Sequence, residues 1–260
     1  MPKVLSVLSG PGGVGKTTIA LILAYALCKA GKNPLLIDTD PSLGLTLSLL
    51  GFKRARILDE NGRTLADAIE VSRRKKADFN FSDYVEVDVE FYDVKIDIVP
   101  SSPRLSEVLG RYWHGVGESA EEPLKRFLST VRDSPHDVVI VDSIPFYEVR
   151  YSKMACKSSD YRLLVTTPRP IDVWRTNYMV ETLLNDGIVD LDELRGSFKI
   201  LINKVPKGTS SLKDVVIERD WKRLKLGIVE RYKIGVLETV IPELEAFAIE
   251  VERRRGLPAL

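Results

Sequence analysis

A three-layer α/β/α domain around a mainly parallel central sheet is what this sequence predicts, and two patterns carry that prediction. The first is a series of short, nearly continuous apolar runs at residues 4–8, 34–37, 96–99, 138–141, 163–166, 199–202 and 234–237. Strands apolar along their whole length are buried on both faces, which is the mark of parallel strands covered by crossover helices. The second is helical periodicity between most of these runs, at residues 17–30, 121–131, 172–184, 212–224 and 243–254.

Taken in order, residues 4–8 form a buried strand that runs into a glycine-rich turn. Residues 17–30 follow as a helix apolar nearly all round, stopped at Gly31. The strand at 34–37 exits into Asp38 and Asp40, and the later runs are each bounded by turn signals. Two stretches break the rhythm. Residues 53–90 are polar and mixed, with a basic run at Arg73, Arg74, Lys75 and Lys76, and residues 115–122 read as a polar loop. No repeat, low-complexity segment or linker divides the 260 residues, so a single domain over 1–260 is expected.

Composition narrows the function. Charged residues are 29% and hydrophobic ones 44%, as in an ordinary soluble domain. The 38 basic and 37 acidic residues leave a formal charge of +1, so nucleic-acid binding would need a local basic patch. Cys28 and Cys156 stand far apart and give neither a paired-cysteine metal site nor a disulfide framework. His114 and His136 are too few for a histidine-based metal centre. The start runs straight into a strand, without a basic leader and apolar core, and the longest apolar stretch is too short to span a bilayer. A cytoplasmic protein is expected.

The turn after the first strand reads Ser9-Gly-Pro-Gly-Gly-Val-Gly-Lys-Thr-Thr18. Gly10, Gly15, Lys16 and Thr17 satisfy G-x-x-x-x-G-K-[ST], between a predicted strand and a predicted helix, as that motif requires. Its glycines turn backbone N–H groups onto nucleotide phosphates, the lysine reaches the β/γ oxygens, and the threonine hydroxyl ligates Mg²⁺. The helix N-terminus adds a positive dipole end. The chain is therefore expected to be a P-loop NTPase that binds a nucleotide. Such an enzyme also needs a carboxylate at a neighbouring strand end. Asp142 closes "DVVIVD" and is the candidate Mg²⁺ residue, acting through a water. Asp38 and Asp40 leave the second strand on one side of the chain, where they can position an attacking water and support the metal shell.

The segments "GPGGVGKTT", "LLIDTDPSLGLT", "DVVIVDS", "LLVTTPRPIDV", "LINKV" and "VIPELEAFAIEVERRRGLP" resemble, in this order, the ParA/MinD family of deviant-Walker ATPases. The likeness covers nearly the whole chain and is weakest over residues 53–90. It implies a switch: ATP brings two subunits face to face, and hydrolysis stimulated by a partner protein separates them, in DNA segregation or the placement of division sites. By the resemblance, Gly12, Gly13, Val14, Gly15, Lys16, Thr17 and Thr18 form the phosphate loop. Asp40 is the water-positioning acid with Asp38 its neighbour, Asp142 is the Mg²⁺-associated acid, and Asn203 contacts the base. Independently, a guanine reader needs a carboxylate three positions after such an asparagine. Pro206 stands there, so ATP and ADP are favoured over guanine nucleotides.

The sequence departs from the family at Pro11, where an extra lysine normally reaches the partner subunit's phosphates. Proline fixes φ, removes an N–H and carries no charge. Nucleotide binding should survive, while the ATP-driven dimer and the hydrolysis rate come into question. Arg150, Lys153 and Arg169 are candidate substitutes, each read first as a surface charge. Lys222, Arg223 and Lys225, and Arg253, Arg254 and Arg255, are candidates for nonspecific DNA contact, read first as solvated faces. Trp174 is expected in the core. A basic amphipathic helix after "GLPAL", as the membrane-docking relatives carry, is not in the sequence, so no membrane partner is expected. The leading reading is a slow or partner-stimulated Mg²⁺-dependent ATPase. Its alternatives are a nucleotide-binding regulator or adaptor with negligible hydrolysis, and an ATP-dependent metal-carrier or maturation factor, which the lack of a cysteine pair disfavours.

Overall fold

A computed structural model describes residues 1–74, 79–114, 119, 121–146, 148–205 and 227–243. Among these residues eight strands form one sheet in the order β3-β4-β2-β5-β1-β6-β7-β8. They are β1 (Lys3–Leu8), β2 (Pro34–Asp38), β3 (Glu86–Phe91), β4 (Val94–Val99), β5 (Val138–Asp142), β6 (Tyr161–Thr166), β7 (Phe198–Val205) and β8 (Gly235–Pro242). Only the β3–β4 hairpin pairs antiparallel; every other ladder is parallel.

The apolar runs are continuous because successive residues bury into different layers. Leu35 and Ile37 of β2, with Val139 and Val141 of β5, join one core cluster. Leu36 and Ile140, between them, join another on the opposite face. That second face is covered by α1 (Lys16–Lys29) and α2 (Gly44–Glu60). The first face is covered by α3 (Leu65–Arg74), α4 (Leu105–Trp113), α5 (Glu122–Thr130) and α6 (Val149–Lys157). Toward β7 the same layer continues with α7 (Pro170–Asn185), α8 (Leu191–Ser197) and α9 (Gly227–Tyr232). The three-layer architecture is as the sequence predicts.

Residues 53–90 contain more structure than their polar composition suggested: the end of α2, all of α3, and the edge strand β3. Helix α2 bends at Gly51, whose φ of 69° lies in the left-handed region that glycine tolerates. Trp174 corrects a second expectation. It is 60% exposed on α7, stacked on Tyr178 with ring centroids 5.8 Å apart. The helical patterns at 212–224 and 243–254 lie outside the described residues.

The order of the strands places the functional region. β1 sits between β5 and β6, so the chain leaves it toward β2 on one side and later builds outward through β6 and β7 on the other. Ligands bind outside the carboxyl ends of strands at such a reversal. The glycine-rich loop, both Asp-bearing strand ends and Asn203 all emerge there.

Candidate functional site

The loop between β1 and α1 is held by its own backbone. Gly13 and Gly15 have φ of 73° and 95°, so the turn uses left-handed positions that a side chain resists. Helix α1 starts from Gly15 with no side-chain cap, leaving its first-turn N–H groups to the loop's concave side. Lys16 is 7% exposed, and its Nζ donates to Ser9 Oγ at 2.9 Å. Ser9 in turn donates to the Pro11 carbonyl at 2.6 Å. Ser9 is thus a resting partner for Lys16, a role no motif announced. Burial lowers the Lys16 pKa from its ordinary value, against the opposing fields of Asp142 and Asp40.

The carboxylates occupy distinct niches. Asp142 ends β5 directly beside the loop, its Oδ2 accepting from the Thr17 hydroxyl at 2.7 Å. Its Oδ1 is buried with no hydrogen-bond partner among the described residues. Asp38 is fully enclosed: Oδ1 accepts from the Asp40 N–H at 3.0 Å, and Oδ2 from the Thr46 N–H at 2.9 Å and hydroxyl at 2.7 Å. It therefore shapes the loop that carries Asp40 and ties that loop to the start of α2. Asp40 is half-buried and accepts from the Ser42 N–H at 2.8 Å, closing an Asx turn. Thr39 continues the pairing of β2 with β5, donating through N–H and hydroxyl to the Asp142 carbonyl at 3.0 and 2.7 Å.

Asp38 and Asp142 are paired across the β2–β5 ladder. Burial, reinforced for Asp38 by the charge of Asp142, raises Asp38 to about 7. Burial raises Asp142 to about 6, against the Thr17 hydrogen bond and the charge of Lys16. Both folded-state pKa values lie above the ordinary 3.8. The folded chain therefore holds protons that the unfolded chain has released, and stability falls as pH rises toward 7. Between pH 5.5 and 8 the ligand-free protein should lose about 3 kcal/mol, or several degrees of melting temperature. Thermal melts across that range check this, and Asp142→Asn should flatten the slope; a melting temperature that rises with pH would contradict it.

Asn203, near the end of β7, reaches the loop from the other side. It is 4% exposed and its Nδ2 donates to the Val14 carbonyl at 2.7 Å. The three candidate replacement cations each have a carboxylate nearby. Arg150 pairs with Glu148 at 2.9 Å, Lys153 lies 4.0 Å from Glu121, and Arg169 pairs with Asp172 at 2.8 Å. The basic residues at 222, 223, 225 and 253–255 lie outside the described residues. Among the described residues no helix is long and apolar enough to cross a membrane, and no cluster of three His, Cys, Asp or Glu side chains could hold a metal.

Strand, glycine loop and uncapped helix in this order, on a mainly parallel sheet, define the class as a P-loop nucleotide-binding domain. Comparison with known proteins narrows it. The AAA domain family AAA_31 matches residues 2–183. An uncharacterized protein of Methanocaldococcus jannaschii is 27% identical over 69% of this chain and 64% of its own length. The sporulation initiation inhibitor protein Soj of Bacillus subtilis is 30% identical over 56% of this chain and 51% of its own. The match thus spans between half and two thirds of these curated relatives. Among solved structures, apo McdA of Cyanothece superposes with a TM-score of 0.70 at 21% identity, covering 98% of this chain and 91% of that one. The chain belongs to the ParA/MinD family of P-loop ATPases, whose members include partitioning and positioning proteins.

Proposed function

We propose that the protein is a Mg²⁺-dependent ATPase of the ParA/MinD type with slow intrinsic turnover, acting in DNA partitioning or intracellular positioning and stimulated by a partner protein. The observation that carries this reading is the contact of Thr17 with Asp142, beside a buried lysine that feels the charges of Asp142 and Asp40. Those residues fit a magnesium ion. A threonine hydroxyl and a carboxylate lie side by side, and the free Asp142 Oδ1 is an unmet acceptor. A magnesium site of this kind takes few protein oxygens and completes its shell with phosphates and water. When bound, Mg²⁺ would neutralise charge on the β- and γ-phosphates. A MinD of the same fold from Pyrococcus horikoshii OT3 is complexed with Mg-ADP.

The residues divide the work. Lys16 leaves Ser9 and neutralises the transferring phosphoryl group, with the backbone N–H groups of residues 12–18 around the phosphates. Thr17 and Asp142 hold the metal. Asp40, on a loop that Asp38 keeps in place, orients the attacking water. Asn203 supports adenine: one N–H of its Nδ2 anchors the amide on Val14, and its carbonyl oxygen can accept from a base. Adenine offers an amino donor at the corresponding edge, whereas guanine offers an acceptor. The test is Asp40→Ala, which should keep Mg·ATP affinity within about threefold while lowering turnover by about 100-fold or more. Unchanged turnover in that variant would remove Asp40 from the mechanism.

A second reading, a nucleotide-binding regulator with negligible hydrolysis, is favoured by one observation. Pro11 supplies no charge, and Arg150, Lys153 and Arg169 all sit near carboxylates. The same observation supports slow turnover in the first reading. The two part on whether any hydrolysis depends on Asp40. Dimerisation with ATP and nonspecific DNA binding are further parts of the proposal.

A further inference from the structure

Two consecutive side chains at the end of β7 grip two consecutive carbonyls of the phosphate loop. Asn203 Nδ2 donates to Val14 O at 2.7 Å, and Lys204 Nζ donates to Gly13 O at 2.9 Å. Neighbouring side chains on an extended strand point to opposite faces. Here they converge because Lys204 adopts φ of 55°, a left-handed conformation that a lysine resists. The backbone strain accompanies a specific contact, and among the described residues Lys204 has no carboxylate partner.

The peptide unit fixes what this grip accomplishes. In a planar trans peptide the C=O of one residue and the N–H of the next point in opposite directions. Holding Gly13 O toward β7 turns the Val14 N–H away from it, and holding Val14 O does the same for the Gly15 N–H. Both donors are then turned to the side of the loop away from β7. The fit at Gly15 is close as well, since a Cβ there would collide with Asn203 Nδ2. The other half of the loop is secured separately, where Ser9 donates to the Pro11 carbonyl at 2.6 Å.

We propose that Lys204 is a positioning residue for the phosphate loop: with Asn203 it clamps the Gly13–Val14–Gly15 segment so that its N–H groups are preset for an anionic phosphate, and its ammonium adds positive charge at the rim of a loop whose position 11 carries none. This rests on the reading that the loop binds ATP. Presetting the donors before the ligand arrives removes part of the ordering cost of binding. Lys204 therefore governs nucleotide affinity, for ATP and ADP alike, rather than the chemical step.

The experiment is calorimetric titration of Mg·ATP and Mg·ADP into the full chain and its Lys204→Met, Lys204→Arg and Lys204→Gly variants, with thermal melts of each ligand-free protein. Lys204→Met should weaken both nucleotides by about tenfold, as the loss of a charge-assisted hydrogen bond does. Lys204→Arg should restore affinity to within about threefold of the parent, because a cationic donor is again in reach. Lys204→Gly relieves the left-handed strain, so its melting temperature should hold or rise while its affinity falls as in Lys204→Met. Parental affinity in both Lys204→Met and Lys204→Gly would overturn the clamp while leaving the ATPase reading intact. A parent chain that takes neither nucleotide would overturn the ATPase reading, and the clamp with it.

Discussion

Lys16→Ala should reduce ATP turnover by about three orders of magnitude and weaken Mg·ATP binding by roughly ten- to a hundredfold. The expectation follows from where the ammonium sits. Lys16 is 7% exposed, inside a loop that otherwise offers neutral N–H donors, and Pro11 adds no second charge. In a site with restricted water, one fixed cation at the transferring phosphate is worth far more than the same charge at a surface. Truncation also strips Asp142 and Asp40 of the positive charge that opposes them, since their fields act on Lys16 in the intact site. The fold itself should survive, because among the described residues the side chain's one hydrogen bond is to Ser9, which keeps its bond to Pro11. Turnover and titration on a variant with an unchanged melting temperature decide the matter; parental turnover would mean that the loop is not the catalytic centre.

Gly10→Ala should instead damage the fold. A Cβ at position 10 would lie 2.7 Å from the backbone nitrogen of Thr176 and would collide with the Arg175 carbonyl. Both obstacles are main-chain atoms of α7, so no rotamer change relieves them. Either the loop or the helix must shift within a close-packed interior. Overpacking of this kind costs about 3 kcal/mol, or about 10 °C in melting temperature for a chain of this size. Gly12 has room by contrast: a Cβ there would meet only the Pro145 ring at 3.5 Å, an ordinary contact. Gly12→Ala is therefore the control, and equal melting temperatures for the two variants would show that α7 does not pack on Gly10 as described.

The parts of the site that were legible in sequence are those set by local rules. Glycines at fixed spacing, a lysine and threonine opening an apolar helix, and acids closing apolar strands each announce themselves within a dozen residues. The contacts that join them did not. Ser9 as the partner of Lys16, Thr46 as the anchor of Asp38, and Lys204 as a hand on Gly13 all link residues through the fold. Lys204 was the nearest to being visible, standing next to Asn203, but its left-handed backbone is not readable from a lysine codeword. In the fold itself, residues 53–90 were undervalued because the apolar residues that α3 buries form a narrow stripe, Leu65, Ala66, Ala68 and Ile69, while the edge strand β3 has no clean alternation, burying Glu86 and Phe91 and exposing Val87. Trp174 failed for the opposite reason. An aromatic beside Val173 reads as core, but on α7 it falls on the outward face and stacks on Tyr178 four residues on.

The measurement that bears most directly on the account is steady-state phosphate release from Mg·ATP by the unmodified chain, with Lys16→Ala as the blank. Slow turnover clearly above that blank is the expected result, despite the proline at position 11. Release no faster than the blank at saturating ATP, with nucleotide bound, would contradict it and leave a nucleotide-holding regulator in its place.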